Sequence, residues 1–77
     1  MPNELATKIL KILEEITTPI VAKSAMTVHC KHLNTSLDTL TSAQIDQLCE
    51  KLAQGFSSFG VDSSKINNAM SKIKALR

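Results

Sequence analysis

"LTSAQIDQLCEKLAQGFSSFGVD", Leu40 to Asp62, decides how this chain folds. Thr41 and Gln44 have the spacing of a capping box, in which the first residue caps a helix and the fourth reaches back to it. Leu40 and Ile45 bracket that start as a hydrophobic staple. Behind them Ile45, Leu48, Cys49, Leu52, Phe56 and Phe59 recur at the interval that lines one face of a helix. Gly60 supplies the left-handed residue that commonly ends helices. Asp62 caps the next helix, with Val61 and Ile66 as a second staple. Start, stripe and stop agree on helix, and nothing here alternates as a strand does.

The pattern extends both ways. Toward the C-terminus, Ile66, Ala69, Met70, Ile73 and Leu76 form the inner face of a last helix. Toward the N-terminus, Asn3 is a good N-cap and Glu4 suits the positive end of a helix dipole. Leu5, Ile9, Ile12 and Ile16 centre the first helix's apolar stripe, with Ala6, Leu10 and Leu13 along its edge. That arc spans about 160°, with Lys8, Lys11, Glu14 and Glu15 opposite. Thr17-Thr18-Pro19 interrupts it. Proline disfavours helical geometry at Thr18 and suits the first position of a new helix, with Thr18 as cap; one kinked helix is the competing expectation. Asn34 can close the second helix in left-handed geometry, and Leu37 and Leu40 pin the following connection to the core. The expected fold is all-α, a compact bundle of four short helices at about 3–16, 19–33, 42–59 and 63–76, forming a single helical domain over residues 1–77.

Composition narrows the function. The chain has 77 residues, nine basic and seven acidic, for a net charge of +2. That is too small a surplus to indicate nucleic acid by itself. Phe56 and Phe59 are the only aromatics, which argues against a base-stacking platform. No apolar run approaches the roughly 20 residues of a membrane span, so no membrane partner is expected. Two cysteines make no secreted disulfide framework, and the N-terminal residues do not resemble a secretory signal. The expected location is cytoplasmic.

"TVHCKH", Thr27 to His32, gathers two imidazoles and a thiol. With Lys23, Thr27 and Lys31 set outward, the buried face of the second helix centres on Ala22, Ala25, His29 and Leu33, with Met26 to one side. His29 then points inward, while Cys30 and His32 stand about 160° apart on opposite flanks. A His29–His32 metal pair would need Cys49 or Asp38 as further ligands, and no paired-cysteine spacing supports one. No metal and no cofactor are expected. Nor is an enzyme: Glu14 and Glu15 diverge on the solvated face, and no acid, base or nucleophile converges on another. An inward His29 predicts a fold that weakens in mild acid.

Two short stretches carry resemblances. Ser36-Leu37-Asp38 resembles part of the Asp-Ser-Leu signature of phosphopantetheine carrier proteins, which implies prosthetic attachment at Ser36. Thr35 replaces the aspartate, and a loop serine bonding nearby backbone accounts for Ser36 more simply. "FGVDSSKINNAMSKI" resembles the turn and second helix of a helix-turn-helix unit, matching at Gly60, Val61, Ile66 and Ala69 or Met70. Over residues 51–76 the resemblance implies a DNA-binding regulator with Ser63, Ser64, Lys65, Asn67, Asn68 and Lys72 facing the groove. It departs at Phe56, where such units carry a small residue. The leading expectation is a non-enzymatic protein-interaction module, adaptor or regulatory, that docks a protein partner or a second copy (a homodimer) through Ala6, Leu10 and Leu13. DNA binding is the alternative.

Overall fold

Asn3 starts the first helix by accepting the Ala6 amide on its side-chain oxygen at 2.9 Å. In this computed structural model, which describes residues 2–77, helix α1 runs over Glu4–Leu13. The chain then turns before Pro19, and Leu13 O accepts the amides of both Ile16 and Thr17. Thr18 caps α2 (Pro19–His32) by accepting the Val21 amide at 3.2 Å. The proline therefore begins a helix and does not kink one, because its ring and missing N–H are harmless only in a first turn.

Both ends of the Asn34–Leu40 connection are held. Asn34 adopts φ 59°, the left-handed geometry expected of it. Its amide bonds Lys31 O at 3.1 Å and the Thr35 amide bonds Cys30 O at 2.9 Å, the paired bonds of a Schellman ending. Asn3 grips the other end. Its backbone amide donates to Leu37 O at 2.8 Å, and its Nδ2 donates to Leu40 O at 2.9 Å and Asp38 O at 3.2 Å. Leu40 is buried and Leu37 packs on the core, so the pinning role read for them holds.

A short 3-10 turn, Ser42–Gln44, leads into α3 (Ile45–Ser58), with the Thr41 amide donating to Gln44 Oε1 at 3.1 Å. Gly60, at φ 85°, ends α3 in a second Schellman turn: its amide bonds Ser57 O and that of Val61 bonds Phe56 O, each at 3.1 Å. Asp62 Oδ2 then accepts the amides of Ser64 and Lys65, capping α4 (Ser63–Lys74). Four helices and no strand occur among the described residues, an all-α compact bundle. None of those helices is long and apolar enough to cross a membrane.

The core holds Ile9, Leu13, Met26, Leu48, Leu52, Phe56 and Ile73, all essentially without solvent contact. Its geometry corrects the expected facing of two helices. The innermost residues of α1 are Ala6, Ile9 and Leu13, while Leu5, Leu10, Ile12 and Ile16 are half-buried around them. On α2 they are Ala22, Met26 and Cys30, while Ala25, His29 and Leu33 are half-buried. Each face is turned by about 60° from the expected centre. Phe59 also departs from expectation. It extends the α3 stripe in sequence, yet at the helix end it stands 77% exposed.

Candidate functional site

Helix α2 carries more large apolar residues than its core-facing stripe can bury. Ala22, Met26 and Cys30 enter the core, which leaves Ile20, Val21 and Val28 on other sides of the helix. Ile20 is 80% exposed and Val28 50%. Across from them stands Phe59, at the end of α3. Among the described residues, the exposed large apolar side chains are Ile20, Val21, Val28 and Phe59, and all four line one groove between α2 and α3 of about 430 Å³. Scattered singly, such residues would be ordinary surface; here they are gathered in one concavity.

The groove continues into a polar cleft of about 290 Å³ lined by His29, His32, Lys51 and Gln54. His29, Gly55 and Ser58 border both ends and form the join. Gly55 makes that join possible. A Cβ at this position would lie 3.1 Å from His29 Nε2, tighter than ordinary packing, so the absence of a side chain lets the imidazole lie against α3. His29 Nδ1 is buried with no hydrogen-bond partner, a rare and costly condition for a polar atom. Burial holds the His29 pKa below its ordinary value of 6.5, and the nearby His32 and Lys51 push in the same direction. The two imidazoles meet edge to face, with centroids 6.3 Å apart. Ser58 Oγ is already committed, donating to Gln54 O at 3.1 Å.

The expected docking residues of α1 lie elsewhere. Ala6 and Leu13 have no exposed surface and Leu10 is half-buried, so this edge is core and not a free face. The structure brings none of them to the groove. Ser63, Ser64, Lys65, Asn67, Asn68 and Lys72 do share exposure on α4. Lys72 Nζ, however, is paired with Glu15 Oε1 at 2.7 Å, and the Asp62 carboxylate occupies the start of the helix. Of the "TVHCKH" groups the thiol separates, while the two imidazoles stay together. Cys30 is in the core, His29 lies at the α2–α3 join, and His32 is exposed. Among the described residues, no three His, Cys, Asp or Glu side chains are grouped to hold a metal ion. Cys30 and Cys49 are free and buried, and burial raises both thiol pKa values. Ser36 Oγ lies 3.0 Å from Thr39 Oγ1 and accepts the Asp38 amide at 3.3 Å, a local turn that accounts for this serine.

The groove residues were missed although a signal for them exists. With Lys23, Thr27 and Lys31 outward, Ile20 falls within that polar stripe and Val28 close beside it, so α2 has apolar residues that one core cannot absorb. No protein-family model, curated protein or solved structure matches this chain.

Proposed function

We propose that this domain is a non-enzymatic docking module that takes a helical segment of another protein in the α2–α3 groove. The convergence of Ile20, Val21, Val28 and Phe59 on one concavity supports this. Amphipathic helices bind such grooves by inserting residues spaced one turn apart. From Ile20 to His32 the groove wall is about 18 Å long at the rise of a helix, enough for roughly three turns of partner. A second copy of this chain fits less well. Self-docking would bring the cationic cleft with Lys51 and both imidazoles toward its own copy, and like charges brought together oppose association.

A photo-crosslinking residue at position 59 tests this against one at position 11, on the exposed outer face of α1. A partner captured at 59 and not at 11 is purified and bound to the wild-type chain and to the Ile20→Ser/Phe59→Ser variant. Binding weakened at least tenfold by the double change supports the groove. Capture at both positions alike, or binding indifferent to the change, removes it.

The exposed polar face of α4 supports a second proposal, DNA binding through Ser63, Ser64, Lys65, Asn67, Asn68 and Lys72. The Lys72–Glu15 pair would have to open for Lys72 to reach phosphate. Duplex binding that weakens steeply between two salt concentrations would favour it.

A further inference from the structure

We infer that the segment this groove accepts carries a carboxylate beside its apolar face, seated at the His32–Lys51 end. The inference rests on the docking proposal and specifies its partner's chemistry. The groove has two chemically different ends joined at His29, Gly55 and Ser58. At one end Ile20, Val21 and Phe59 offer only hydrocarbon. At the other the lining groups are two imidazoles, an ammonium and an amide, and no carboxylate lines either end.

Helix α2, "PIVAKSAMTVHCKH", gives this end both of its histidines and contains not one acid. Lys51 adds a cation from α3, and His29 feels both Lys51 and His32 as repulsive neighbours. An anion placed between Lys51 and His32 would relieve that repulsion, whereas a basic partner would worsen it. The partner helix therefore needs apolar residues over Ile20, Val28 and Phe59, with Asp or Glu about two turns along on the same side.

A displayed library of amphipathic helices, apolar on one face and randomised in charge elsewhere, tests this without a known partner. It is selected on the full chain and counter-selected on the Ile20→Ser/Phe59→Ser variant. The expected binders share Asp or Glu at one fixed register. Synthesised binders should lose about two- to fivefold in affinity on Lys51→Gln, the size of a partly exposed ion pair. Lys51→Glu should cost more, and a lysine at the acidic register of the peptide should recover binding to Lys51→Glu. In the wild-type complex the His29 imidazole should titrate at higher pH than in the free protein. Groove-dependent binders without an acidic preference, or without charge-swap recovery, would overturn the carboxylate and leave the docking proposal standing. If the library returns no binder that depends on Ile20 and Phe59, both fall.

Discussion

Helix α3 is used in opposite ways on its two sides. Toward α4 it is closed: Ile66, Ala69, Met70 and Ile73 are buried, and Gly60 and Asp62 fix the connection. Arg77 Nη1 then reaches back to both carboxylate oxygens of Asp46 at 2.7 and 2.8 Å. Toward α2 the contact is incomplete. Gly55 offers no side chain, His29 stands where an aliphatic residue would pack, and Ile20 and Phe59 remain in water. A small domain has little apolar surface to spare, since at this size only about 60% of the unfolded chain's surface is buried on folding. Apolar surface left open beside a closed seam adds little to the domain's own stability, and it is the surface on which the docking proposal rests.

The contrast is tested most severely in the core. Leu52 is fully buried, and Leu52→Ala should cost about 2–5 kcal/mol in urea unfolding, the range for large-to-small core changes. A loss well under 1 kcal/mol would mean that the closed side is not tightly packed. Asn3→Ala should cost about 1–2 kcal/mol as a lost helix cap, and should also speed amide exchange around Leu37–Leu40, since the same side chain bonds Asp38 O and Leu40 O. Unchanged exchange there would show that Leu37 and Leu40 hold the connection without Asn3.

The open side should respond to pH. Because the folded pKa of His29 lies below the unfolded value of 6.5, the unfolded chain takes up the proton first. Stability contributed by neutral His29 is complete above that value, and falls as pH drops from about 6.5 toward the folded pKa. Denaturant midpoints from pH 7.5 to 5 should decline less in His29→Gln; equal declines would place the acid sensitivity elsewhere. The smallest expected effect is also the sharpest for the comparison. Ile20→Ser and Phe59→Ser should each change stability by no more than about 0.5 kcal/mol, because their side chains stand mostly in solvent. A larger loss would make the groove part of the core.

Residues that act through neighbours close in the chain were legible. Asn3, Thr18 and Asp62 cap the helices expected of them, and Asn34 and Gly60 take up left-handed backbone. Each depends on bonds within a few residues, which spacing alone specifies. The candidate site was not legible in the same way. Ala6 and Leu13 were assigned to an edge and lie at the centre, whereas Phe59 was assigned to the core and stands outside. Wide apolar arcs such as that of α1 fit a core at several rotations, so periodicity cannot select the residue at the bottom.

From the sequence alone came the helices, their order and most of their ends, because caps, stripes and left-handed stops are local chemistry. Helix α1, expected to reach residue 16, stops at Leu13, and α3, expected from 42, begins at Ile45 after a 3-10 turn. Only the packed structure decided the rotation of α1 and α2, the approach of His29 to Gly55 and the groove that joins Phe59 to Ile20. Those features arise where helices distant in the chain compete for one limited volume. The side chains that fit inside it leave the others to line its surface.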